Sequence, residues 1–118
     1  MKVLLVDDEK EMVSALAERL SFRDIDAEWV TSGKDAITQV SEKHFDVLVL
    51  DVKMPGMSGL ETMIEILKIK PESRIIFLTG HGSALDHLAC KEAGAFSYLM
   101  KPINIEILVE KIKEAVRS

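Results

Sequence analysis

Five times along this chain a short apolar run gives way to a longer stretch in which apolar residues return every three or four positions. The short runs are Val3–Val6, Ala27–Val30, Val47–Leu50, Ile75–Leu78 and Tyr98–Met100. Unbroken runs of this kind predict strands buried on both faces, as in a parallel sheet. Glu28 interrupts the second run, which suits a strand at the sheet edge. The longer stretches predict amphipathic helices. Glu9–Leu20 aligns Met12, Val13, Leu16 and Leu20 on one stripe, and Ser32 with Asp35 opens a helix whose inner face is Ala36, Ile37 and Val40. Ser58 and Glu61 form a capping box before a stripe of Leu60, Met63, Ile64 and Leu67. A fourth helix starts near Ser83, turns Leu85, Leu88 and Ala89 inward and stops at Gly94; Asn104 caps the last, with Ile105, Leu108, Ile112 and Ala115 inside. Strict alternation of strand and helix with short loops predicts an α/β fold, (βα)5, with right-handed crossovers.

The residues that end the strands give this pattern its chemistry. The first run leads into Asp7 and Asp8, the third into Asp51, the fourth into Thr79 and the last into Lys101. In an open parallel sheet, ligands bind beyond the carboxyl ends of the strands where strand order reverses; a flavodoxin-like order of 2-1-3-4-5 sets the first and third strands side by side there. Three carboxylates so gathered repel by roughly 4 kcal/mol per pair at about 4 Å and an effective dielectric near 20, which a cation would relieve. Hard oxygen donors, few in number, select Mg²⁺ over zinc or calcium, and Mn²⁺ can substitute. A hydroxyl and an ammonium can each engage a phosphoryl oxygen. Asp8 has a competing structural use, since Asp8-Glu9-Lys10-Glu11 reads as a capping box; capping does not account for Asp7.

Bulk properties narrow the classes. At 118 residues the chain is expected to form one domain spanning 1–118, with 47% hydrophobic and 30% charged residues, ordinary for a globular protein. A formal charge of -5 with scattered Lys and Arg argues against direct nucleic-acid binding. The single Cys90 excludes an intrachain disulfide and suits a reducing compartment. The apolar run at the N-terminus is too short for a signal peptide and none is long enough for a membrane span, so the expected location is the cytoplasm.

Asp7-Asp8, the stretch Asp51-Val52-Lys53-Met54-Pro55-Gly56-Met57-Ser58-Gly59, Thr79-Gly80 and Tyr98-Leu99-Met100-Lys101-Pro102 together resemble the receiver domain of two-component response regulators, in the same order and spacing. The resemblance implies that Asp51 accepts a phosphoryl group from the phosphohistidine of a sensor histidine kinase or phosphotransfer protein. It implies that Asp7, Asp8, Asp51 and the backbone carbonyl of Lys53 hold Mg²⁺. Thr79, Gly80 and Lys101 would surround the phosphoryl group, with Thr79 and Tyr98 as the switch pair. The Lys101–Pro102 bond would be cis. Lys53 and His81 occupy positions that vary within the family and flank the path of attacking water, so they are expected to tune phosphoryl lifetime. The output partner or domain would sit on the face of helix four, strand five and helix five, which also fits a phosphorylation-dependent homodimer. Such a domain is a signalling switch, not an enzyme beyond its own phosphorylation and dephosphorylation.

An aspartyl-nucleophile phosphohydrolase of the haloacid dehalogenase type also uses a strand-end Asp, Mg²⁺, Thr and Lys. It needs a second Asp two residues after the nucleophile as acid and base, where this chain has Lys53. A flavin module of similar architecture needs a phosphate loop after strand one, where Asp7-Asp8-Glu9 would repel phosphate. His44 reads as a solvated helix-end residue, and the six-residue spacing of His81 and His87 does not suit a metal site. Met12, Met54, Met57, Met63 and Met100 read as packing residues.

Overall fold

The computed structural model describes residues 1–80 and 82–118; His81 lies outside the described residues. Five strands, β1 (Lys2–Val6), β2 (Asp26–Val30), β3 (Val47–Leu50), β4 (Ile75–Thr79) and β5 (Ser97–Met100), form one sheet in the order β2-β1-β3-β4-β5. Every pairing is parallel, and the β1–β3 register places Val6 opposite Leu50. Asp7 and Asp51, each following one of these residues, therefore emerge side by side at the switch point, where order reverses.

The helices are α1 (Lys10–Ser21), α2 (Gly33–Glu42), α3 (Gly59–Ile69), α4 (Ala84–Glu92) and α5 (Ile105–Arg117). Strand side chains alternate between two cores. Val3, Leu5, Val47, Val49, Ile76 and Leu78 meet α1 and α5, while Leu4, Val6, Leu48, Leu50, Ile75 and Phe77 meet α2, α3 and α4. β3 and β4 are buried throughout. Ser32, Ser58, Ser83 and Asn104 cap their helices as their sequence context predicts, and Ser58–Glu61 closes a full capping box.

Four local expectations are corrected. Helix α1 takes Glu9, not Asp8, as its N-cap, with no side-chain cap bond; the Glu9 N–H donates instead to Asp7 Oδ1 at 2.9 Å. On α3, Met63 is buried and Leu60 and Leu67 pack against the core as expected, joined by Gly59, Thr62 and Ile66, whereas Ile64 is exposed. Gly59 packs closely on the backbone of Asp51, which seats the start of the helix against the sheet. Thr62 tolerates this burial because its hydroxyl donates to the Ser58 carbonyl at 2.7 Å. On α4 the leucines point outward, Leu85 being 78% and Leu88 52% exposed, and Cys90 is the only buried residue. Burial pushes the Cys90 thiol up to about 11, which leaves it a packing residue. Met100, expected to pack, is also exposed. No described helix is long and apolar enough to cross a membrane.

Candidate functional site

At the carboxyl edge of the sheet, carboxylate oxygens of Asp7, Asp8 and Asp51 lie within 4.8 Å of one another. Asp7 and Asp51 are buried, whereas Asp8, one residue further into the loop, is exposed. The main-chain ladder fixes the two buried residues: the Asp7 N–H donates to the Val30 carbonyl and the Asp51 N–H to the Val6 carbonyl. Their separation is thus set by β-sheet geometry, not by side-chain choice.

Lys101, from the loop after β5, reaches across this edge. Its Nζ is 2.6 Å from Asp7 Oδ2, 3.5 Å from Glu9 Oε1 and 3.8 Å from Asp51 Oδ2. The ammonium therefore bonds most closely to Asp7, with Asp51 at the limit of an ion pair, and the exposed Glu9 joins the cluster. Burial opposes the charge on Lys101, but the hydrogen bond to Asp7 and the nearby Asp51 outweigh it and raise its pKa. The peptide bond between Lys101 and Pro102 is cis.

Burial pushes the Asp51 carboxyl above its ordinary range, with Asp7 adding to the shift; the Thr79 hydroxyl, Lys101 and the Lys53 N–H pull the other way. Asp51 Oδ1 is buried with no hydrogen-bond partner among the described residues. An orphaned carboxylate oxygen beside two further carboxylates fits a hard cation well, since one would satisfy the oxygen and relieve the repulsion together. Thr79, fully buried at the end of β4, stands next in the sheet to the acidic pair. A Cβ at Gly80 would meet only side-chain carbons of Lys101, at 3.8 Å, so the apo fold itself places no demand for glycine there.

Around these residues lie others, Gly82, His87 and Asp86, that carry no visible signal in the sequence. A Cβ at Gly59 would run into the Asp51 carbonyl oxygen, so this glycine lets α3 seat against the acidic edge. A Cβ at Gly82 would collide with the Tyr98 hydroxyl and crowd Thr79 Cγ2. The Tyr98 ring thus lies inward, its hydroxyl buried without a partner among the described residues. His87 of α4 stacks on that ring, with centroids 4.5 Å apart and planes 6° from parallel, and Phe77 meets it at 6.2 Å. Lys53 extends away from the acidic cluster, its Nζ 3.8 Å from Asp86 Oδ2 in the first turn of α4. The phosphohydrolase reading needs an acid at position 53, and this lysine takes that place.

A family model for the response regulator receiver domain matches residues 3–113. Over 117 residues the chain is 34% identical to the response regulator MprA of Mycobacterium leprae, covering 99% of this chain and 51% of that protein. It is 32% identical over 116 residues to the transcriptional regulatory protein GlrR of Escherichia coli, covering 98% of this chain and 26% of that protein. The chain therefore spans from about a quarter to about half of these relatives. A receiver domain protein from Methanospirillum hungatei, described as CheY-like, superposes with a TM-score of 0.94 at 29% identity, covering 98% of this chain and 93% of that one. With its five parallel strands, its acidic edge and a match over nearly its whole length, the chain belongs to the response regulator receiver domain family.

Proposed function

We propose that this domain is a phosphorylation-controlled switch whose acceptor is Asp51. The observation that carries the reading is the convergence of Asp7, Asp8, Asp51, Thr79 and Lys101 from four strand ends on one edge. A carboxylate oxygen of Asp51 forms a bond to phosphorus as the phosphorus–nitrogen bond of a phosphohistidine breaks, and the departing imidazole takes up a proton. Asp7, Asp8, Asp51 and the Lys53 carbonyl would hold Mg²⁺ or Mn²⁺, which neutralises charge on the transferring group. The Thr79 hydroxyl donates to one phosphoryl oxygen and the Lys101 ammonium neutralises another, while Gly80 leaves room for the group. Lys53 and His81, at positions that vary within the family, would govern how long the acyl phosphate survives.

The switch itself would be Thr79 with Tyr98. Drawing Thr79 toward the phosphoryl group changes the packing around the inward Tyr98 ring and alters the face of α4, β5 and α5. The donor is a sensor histidine kinase or phosphotransfer protein, and an output domain, a partner protein or a second copy docks on that face. The setting for this chemistry is the cytoplasm.

Intact mass measured after incubation with acetyl phosphate and Mg²⁺ tests the reading. One phosphoryl group (roughly 80 Da) is expected, labile to base as an acyl phosphate is, absent in Asp51→Asn and lost on chelation of the metal. Efficient labelling of Asp51→Asn would refute it.

A further inference from the structure

Lys53 touches two negative sites, one through its main-chain N–H and the other through its ammonium. Its main-chain N–H already lies against the Asp51 carboxylate, so its side chain begins at the acceptor. Its Nζ nevertheless rests 3.8 Å from Asp86 Oδ2, on the opposite wall of an open cleft lined by Val52, Lys53, Met54, Pro55, Ser58 and Asp86. Asp86 is not free to follow the lysine, because its carboxylate accepts from the Ser83 N–H at 3.1 Å and so closes the capping box of α4. With side chains 58% and 29% exposed, the Lys53–Asp86 pair is a weak surface contact. A phosphoryl group on Asp51 carries about two negative charges where the carboxylate carries one.

We propose that Asp86 is a positioning residue for the phosphoryl site: it holds the Lys53 ammonium on α4 while Asp51 is free and competes for it once Asp51 is phosphorylated. The inference rests on the reading of Asp51 as phosphoacceptor. It adds a second connection from the site to α4, separate from Thr79 and Tyr98 and made by the charge of one lysine. The weakness of the surface pair is what makes the exchange possible. A strong pair would keep Lys53 on α4 in both states, and with no pair α4 would be indifferent to the lysine. The competition also sets lifetime: each moment the ammonium spends on Asp86 is a moment when the phosphoryl oxygens are less covered.

The test uses Asp86→Asn, whose side-chain oxygen can still accept from Ser83, together with Lys53→Met, which keeps most of the stem and removes the charge. In the metal-free protein, Lys53→Met should shift the amide signal of Ser83, which reports the Asp86 carboxylate directly. After labelling with acetyl phosphate and Mg²⁺, Asp86→Asn should lengthen the phosphoryl half-life by about threefold, the scale set by losing one exposed ion pair. In the Lys53→Met background the same substitution should leave the half-life unchanged. An Asp86→Asn effect of equal size in both backgrounds would make Asp86 merely structural and overturn the proposal, as would no effect in either or an unmoved Ser83 signal. Failure of Asp51 to label at all would instead overturn the phosphoacceptor reading, and this inference with it.

Discussion

The acidic edge at β1 and β3 and the α4–β5 side differ sharply in how they are held. β3 and β4 are buried along their whole length, and β1 is buried from Val3 onward; β5, at the sheet edge, is half-buried and ends on an exposed Met100. Helix α5 buries five residues and α1 four, whereas α4 buries only Cys90. Asp7, Asp51 and Thr79 thus stand at the ends of the most deeply packed strands, where register fixes them, while Lys101 reaches them from the end of β5. The surface that would report the event is attached by few buried contacts and presents Leu85, Leu88, Met100 and Ile107 to solvent. Segments with little buried apolar surface open at low cost, so this side can change arrangement without unfolding the strands that carry the site. Fixed chemistry and movable readout are separated by one strand position in the sheet.

Core truncation should expose that contrast most strongly. Leu50→Ala, one residue before Asp51 and fully buried, should cost about 2–5 kcal/mol in denaturant unfolding. Leu85→Ala on α4 should stay within about 0.5 kcal/mol. Comparable losses at the two positions would erase the distinction.

Removing the cation of the site should come next. Lys101→Met leaves Asp7 and Asp51 without their ammonium and should cost about 3 kcal/mol near neutral pH in metal-free protein. The raised pKa of Lys101 means its stabilisation is fully present below its ordinary value of 10.5 and is lost as pH climbs through the higher folded value. In the variant, much of the deficit should vanish when pH falls far enough to protonate the carboxylates. A deficit independent of pH would point to lost packing of the lysine stem instead.

A smaller effect of opposite sign is expected at Asp51. Its raised pKa means that the folded state binds this proton more tightly than the unfolded state does. Its contribution therefore declines as pH rises from below the ordinary 3.8 through the folded value. Asp51→Asn should remove that decline and stabilise the metal-free protein at neutral pH by about 1–3 kcal/mol, as relief of close like-charge repulsion does. Thermal midpoints measured across pH would show it; destabilisation by Asp51→Asn at every pH would mean that the carboxylate is structural.

Much of this organisation is legible in the chain because it depends on neighbours in sequence. Four aliphatic residues before Asp51, or before Asp7, declare a buried strand and its mouth, and Ser58 with Glu61 declares a helix start. The orientation of α4 is not legible: Leu85 and Leu88 share a stripe, but spacing cannot tell which face meets the sheet. An apolar stripe meant for a partner looks like one meant for the core. The same limit hid the burial of Thr62 and Ile66 on α3 and the exposure of Ile64. Gly82 beneath Tyr98, His87 stacked on it and Asp86 opposite Lys53 are contacts across loops and elements, so no local pattern announces them.

The central claim, that the fixed acidic edge controls the loosely held side, is tested most directly by amide chemical-shift mapping with BeF3⁻ and Mg²⁺ as a stable phosphoryl mimic. Large shifts are predicted at the site and, away from it, across Ser83, His87 and Tyr98, with β2 and α2 nearly unmoved and no response in Asp51→Asn. Shifts confined to the neighbours of Asp7, Asp8 and Asp51, with α4 and β5 unchanged, would contradict the account.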